Sequence, residues 1–190
     1  MKTLLILFAF GTCAALVTGC GTTSDLKPMM GADIRSIQRY STVSVVDFGD
    51  KTSGKTDATP QRLQELGRHF ADMVALELQN TKAFGKVSRA TTAQPGSLLV
   101  SGNITRCAEG NASLRLWIGM GAGSTYLEAT VEFVDADTAQ KLGQVLVDKN
   151  SWALGGGIAA SQTLDSFMQG AAKKIAEQVA KAKADATSGK

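Results

Sequence analysis

The chain has 190 residues, 44% of them apolar, and a formal net charge of +3. This composition is globular, which excludes a disordered chain and a multi-span membrane protein, and the length suits one domain better than two. Lysine and arginine are scattered rather than gathered in a stripe, and aromatics are few (two Trp, two Tyr, seven Phe), so no nucleic-acid partner is expected.

Met1-Lys2-Thr3 leads into an apolar run from Leu4 to Phe10, and Gly11 to Gly19 follow. A positive charge before a short apolar stretch predicts a secretory signal over 1–19, too short for the ~20 residues of a spanning helix. Leu16-Val17-Thr18-Gly19-Cys20 resembles the bacterial lipobox. The resemblance implies cleavage between Gly19 and Cys20 and a diacylglycerol on the Cys20 thiol, with palmitate-type acyl chains holding the protein to a membrane. Several chains on one residue anchor far more firmly than one. Gly21 stands where an aspartate tends to retain enteric lipoproteins at the inner membrane, so the expected location is the periplasmic face of the outer membrane. Cys13 leaves with the signal, so Cys107 has no partner for an internal disulfide and reads as a small, semi-buried strand residue.

Residues 20–40 are of mixed composition and include Ser24, Pro28 and Gly31. They read as a lipid-anchored tether whose second half, with Met29, Met30, Ile34 and Ile37, packs against the domain. A single domain is expected over 41–184. Val43 to Phe48 reads as a strand by its β-branched content, ending at Gly49-Asp50. Thr59-Pro60 is a helix start, and Leu63, Leu66, Phe70, Val74 and Leu78 extend that helix over about 60–80. Phe84 to Val87 begins the next extended segment, and Leu98, Val100 and Ile104 mark another beyond the Pro95-Gly96 turn. Ser113 to Ile118 reads as a strand with Arg115 and Trp117 on one face. The clearest alternation is Leu127, Ala129, Val131 and Phe133 against Tyr126, Glu128, Thr130 and Glu132. Gly143 to Trp152 returns as its partner. After Gly155-Gly156-Gly157, a last helix is expected from about Ser161 to Ala182, and 185–190 form a frayed tail. The expected class is α+β: a two-layer sandwich in which a mixed or antiparallel sheet of about five strands carries two helices on one face.

Arg115-Leu116-Trp117-Ile118-Gly119-Met120-Gly121-Ala122-Gly123-Ser124, the long alternating strand, and Asp135-Ala136-Asp137-Thr138 together resemble the domain-of-unknown-function family 4410 of proteobacterial lipoproteins. The likeness extends loosely from about Tyr40 to Ala182. More distantly, the layout is similar to the small α/β domain of the TolB N-terminal region, of a penicillin-binding-protein activator and of the curli secretion lipoprotein. The resemblance implies a location and a fold but no activity. One departure stands out: the family usually has glycine after the threonine of that turn, whereas Ala139-Gln140-Lys141 follow here.

Residues with chemical potential are sparse. Gly119, Gly121 and Gly123 lead into a strand rather than a helix, so they read as a bend and not as a phosphate loop. His69, the single histidine, falls on a helix surface, and with Cys107 alone it makes no metal set. Asp47 and Asp50, at the end of the first strand, read as turn acids. The expectation is therefore a non-catalytic protein without metal or cofactor. It would bind or assemble with an envelope partner, a periplasmic protein or the cell wall, while the lipid holds the membrane. Its candidate interaction surface is Arg115, Trp117, Gly119, Gly121 and Gly123, since an exposed Arg–Trp pair is an interface anchor. A component of an export or secretion assembly, and a hydrolase using Asp47 or His69, are the alternatives.

Overall fold

The computed structural model describes residues 21–118, 120, 122–151 and 156–185. The expected signal, Gly19 and Cys20 lie outside them, as do Gly119, Gly121 and Trp152. The sheet is built around three long antiparallel strands, β6 (Leu98–Ala108), β7 (Tyr126–Asp135) and β8 (Lys141–Asn150). Leu127, Ala129, Val131 and Phe133 of β7 are buried, while Tyr126, Glu128, Thr130 and Glu132 face the other side, as their alternation requires. A register shift between Ile104 and Arg106 changes the parity of β6, so that Cys107 points inward and is fully buried, more deeply than expected.

Two long helices cover the buried face. Helix α1 (Pro60–Asn80) starts where the Thr59-Pro60 signal places it: the Thr59 hydroxyl accepts from the Arg62 N–H at 3.2 Å. Its Phe70 meets Phe48 edge to face, ring centroids 5.1 Å apart. Helix α4 (Leu164–Ala184) begins three residues later than expected, because Thr163 and Ser166 cap it reciprocally. Its stripe of Leu164, Met168, Ala171, Ile175 and Val179 is buried against α1 and the sheet.

The mixed sheet with α1 and α4 on one face is present, but among the described residues it has eight strands rather than about five, ordered β1-β8-β7-β6-β3-β5, with β2 on β8 and β4 on β6, and two further short α-helices stand beside the expected two. The additions are short, β1 (Gly21–Thr23), β2 (Lys27–Pro28) and β4 (Gly49–Asp50); the expected β3 (Thr42–Val45) pairs in parallel with β6 and with β5 (Lys86–Arg89), the extended segment expected to begin at Phe84 to Val87. Segments of two to four residues carry no readable period and become strands only because a neighbouring edge offers partners. The segment expected as a tether is corrected in the same way. Its first half pairs antiparallel with β8 from Gly21 onward, while its second half packs on the domain as expected, a 3-10 helix over Ile34–Arg39 burying Ile37 completely, although Met30 stays exposed. Ser113–Ile118, expected as a strand, is helix α2 (Ala112–Trp117), and the Gly156–Ser161 segment, read as a linker followed by a helix start, is helix α3.

The β7–β8 turn shows why glycine suits the position that Ala139 occupies here. Asp135 Oδ1 accepts from the Asp137 and Thr138 N–H groups at 2.9 and 3.1 Å, and the Ala139 N–H returns to the Asp135 carbonyl at 2.9 Å. The turn is kept, with Ala139 in the left-handed region at φ 58°. Ala139→Gly should therefore stabilise the protein by about 1 kcal/mol, read as a higher denaturation midpoint at unchanged slope.

The same carboxylate ties the N-terminal segment to the sheet, since Asp135 Oδ2 accepts from Tyr40 Oη at 2.8 Å and pairs with Arg39. The Tyr40 hydroxyl, ahead of the turn amides and Arg39, holds the Asp135 carboxyl at about 2, below its ordinary 3.8. A carboxylate with a lowered folded-state pKa contributes stability that is complete above its unfolded pKa and is lost as pH falls through the folded one. Stability should thus drop between about pH 4 and about pH 2. Asp135→Asn should flatten that part of the pH–stability curve measured by urea unfolding.

Candidate functional site

One end of the sheet carries a cap. Ala108, Tyr126 and Asn150 lie in register across the ends of β6, β7 and β8. Thr125 secures this end: its N–H donates to Ser151 Oγ at 3.0 Å, its hydroxyl donates to the Glu109 carbonyl at 2.9 Å, and its carbonyl accepts from the Ser151 N–H at 3.0 Å. Above these strand ends α2 packs on α3. Asn111 caps α2 by accepting from the Leu114 N–H at 3.1 Å, and its own N–H donates to the Gly123 carbonyl at 2.9 Å. Gly123 has φ 68°, and a Cβ on it would come within 2.6 Å of the Asn111 carbonyl oxygen, so glycine is what lets the loop close on the helix.

Helical rather than strand geometry changes the candidate surface. Residues two apart share a strand face but stand about 200° apart around a helix, so Arg115 and Trp117 cannot present one surface. Arg115 is 3% exposed and points inward, its Nε donating to the Ala159 carbonyl at 2.9 Å and its Nη1 to the Gly123 carbonyl at 2.7 Å. Burial pushes its pKa down. It joins α2, α3 and the glycine loop, and it is structural rather than an interface anchor. Trp117 is 83% exposed and Met120 88%, with Leu114, Leu116, Ile118 and Ile158 exposed beside them on α2, its loop and α3. Sequence reasoning missed this apolar group, because six residues between glycine turns suit either period. Asn111, a helix-capping residue type placed before the run, was the available signal for a helix.

Beside the cap a cleft of about 610 Å³ opens between the N-terminal halves of α1 and α4, with Arg62, Glu65, His69, Glu109, Arg115 and Asp165 among its walls. Arg62 pairs with Glu109 at 2.7 Å, and His69 Nε2 lies 2.8 Å from Asp165 Oδ1. Its charges thus largely answer one another at an exposed surface. Asp47 is engaged elsewhere, by Arg89 and, at 3.8 Å, by Arg68, while Asp50 accepts from the Thr52 N–H at 2.7 Å. The structure does not bring Asp47 and His69 into contact; each has a different partner. Burial pushes the Cys107 thiol up to about 12, leaving it a neutral core group. Among the described residues no group of three or more His, Cys, Asp or Glu is placed to hold a metal, and no helix is long and apolar enough to cross a membrane.

Residues 30–155, which include β3 to β8 and α2, match the family described as a domain of unknown function, DUF4410. The chain belongs to the DUF4410 family. No curated protein matches it. Among solved structures the DUF4410 chain is similar to the PelC dodecamer from Paraburkholderia phytofirmans, at 16% identity and a TM-score of 0.55, covering 84% of this chain and 96% of that one. A DUF330 protein from Xanthomonas campestris aligns at 9% identity and a TM-score of 0.50, over 85% and 93%. At these identities the likeness concerns the fold alone.

The two members of the expected Arg–Trp pair should separate cleanly in the laboratory. Arg115→Ala removes the charged hydrogen bonds to the buried Ala159 carbonyl and the half-buried Gly123 carbonyl, which keep only their backbone donors Gln162 and Asn111, and should cost about 1–3 kcal/mol. Trp117→Ala should change stability by about 0.5 kcal/mol or less. Denaturant unfolding of both variants is the check.

Proposed function

We propose that this DUF4410 protein is a lipid-anchored component of the outer membrane's periplasmic face, acting through surface contacts rather than bond-making chemistry. The observation that carries the reading is the apolar cap. Six large apolar side chains stand in solvent on α2, its loop and α3, fixed from below by a buried arginine. Exposed apolar groups gathered at one place mark a contact surface. Leu16 to Cys20 supports the anchor, and Gly21 in place of aspartate supports the outer membrane.

The decisive test has two parts. Intact mass of the membrane-extracted chain should show residues 1–19 gone and acyl groups on Cys20. Cys20→Ala should move the protein out of the membrane fraction; a variant that remained there unchanged would overturn the anchor. A photoreactive residue at position 117 should crosslink in cells far more than one at Lys173, an exposed position on α4. Equal yields at the two positions would overturn the contact role of the cap.

A second reading, as a subunit of an envelope assembly, is favoured by the fold it shares with PelC, which forms a dodecamer. Native mass measurement of the detergent-extracted protein decides this. A defined multimer supports assembly, and a single copy at all concentrations removes it.

A further inference from the structure

We propose that the α2–α3 cap is seated in the surface of the same bilayer that holds the lipid anchor, so that the domain stands on the membrane with β6, β7 and β8 end-on to it. The inference rests on the reading of Cys20 as the lipidated residue and names what its apolar cap touches.

The first argument is where the chain enters the fold. Gly21, the residue that follows Cys20 in the chain, is paired with Lys149 in the β1–β8 ladder. One peptide unit spans about 3.8 Å, which leaves the acylated residue almost no slack. The entry is tightly held: Gly21 has φ 130°, and a Cβ on it would run into the Asp148 carbonyl and lie 2.8 Å from Lys149 Cα. A lipid attached at Cys20 therefore fixes this end of the sheet at the membrane.

The second argument is that the cap belongs to the same end. Gly21 lies opposite Lys149, next to Asn150, which is in register with Tyr126 and through it with Ala108. Helix α2 starts four residues beyond Ala108, and α3 starts six residues beyond Asn150. In the order β1-β8-β7-β6, three inter-strand spacings separate the anchor from the strand leading into α2, about 15 Å in all. Anchor and cap are thus neighbours on one end of a small domain.

The third argument is chemical. Trp117, Met120, Ile118 and Leu116 project from a one-and-a-half-turn helix and its loop, while the single charged residue of that helix, Arg115, is turned inward. A short apolar surface with an exposed tryptophan suits the headgroup–acyl boundary, where interfacial segments bury their apolar face by about 5–10 Å. The surface nearby carries both signs: Arg106 pairs with Glu128 at 3.2 Å, and Lys149 and Lys55 stand close in the chain to Asp148 and Asp57. Seating should therefore depend on apolar burial and little on anionic lipid or salt.

The test uses Trp117 as its own probe. The membrane-extracted protein carrying Trp152→Phe is reconstituted into phosphatidylethanolamine–phosphatidylglycerol vesicles, with and without a doxyl quencher high on the acyl chain. Trp117 emission should shift to the blue on reconstitution and fall by about half with the quencher, at low and high salt alike. The difference between wild type and Trp117→Phe gives the same reading if Trp152→Phe does not fold. Emission that stays solvent-like and unquenched overturns the inference. So does blue-shifted emission that ignores the lipid quencher and accompanies a multimeric mass, which would place the cap between copies of the chain. The anchor is tested apart from this. Residues 21–190 with an N-terminal histidine tag, tethered to nickel-chelating lipid, should show the same quenching whether or not cells acylate Cys20. Quenching there with no acyl mass in cells would reject the anchor while retaining the membrane affinity of the cap.

Discussion

Everything in this domain hangs on one face of β6, β7 and β8 being dry. Their long antiparallel ladder satisfies the backbone of three strands at once, and strict alternation then sends Val100, Ile104, Leu127, Val131, Phe133, Val145 and Val147 to a single side. Water must be kept from that side, and neither helix can do so alone. Helix α1 reaches β3 to β6, and α4 reaches β7, β8 and β1. The two pack against each other across the middle, so each buries its stripe on both the sheet and its neighbour.

The opposite face of the sheet stays half-wet and polar, with Arg106 stacked over the Tyr126 ring at 4.0 Å and paired with Glu128 at 3.2 Å. Such a face needs no cover. Among the described residues, six of the nine exposed large apolar side chains stand instead at one end, over the strand termini. A loop and two short helices could not hold that position by their own hydrophobic burial, since so much of their apolar surface points outward. The holding force is polar: Arg115 donates to carbonyls of α3 and of the glycine loop, and Thr125 and Ser151 stitch the loop to the strands. Turning the guanidinium inward is what leaves α2 with an uncharged outer surface.

The N-terminal segment has a comparable logic. Its pairing with β8 covers a sheet edge that would otherwise present open hydrogen-bonding groups. Ile37 and the Tyr40–Arg39–Asp135 group then fasten it at the far end of β7. Gly21 is the residue whose missing Cβ lets β1 approach Asp148. A substitution there would disturb the ladder.

Wherever a period ran long enough to repeat, the sequence alone determined the structure. About four turns of apolar spacing after Thr59-Pro60 were legible as α1, eight alternating residues as β7, and one stripe as the body of α4, because each repeats its pattern several times against a fixed partner face. The family was legible in the same stretch, from Arg115 to Thr138. The tertiary structure alone decided the pieces too short to have a period. Gly21–Thr23 and Lys27–Pro28 are strands because β8 has a free edge, and Ala112–Trp117 is a helix because Asn111 caps it and the Gly123 loop closes on its first turn. That last choice is the one on which the functional surface turns. A six-residue run reads equally as strand or helix, and only the burial of Arg115 against α3 determines that Trp117 faces outward.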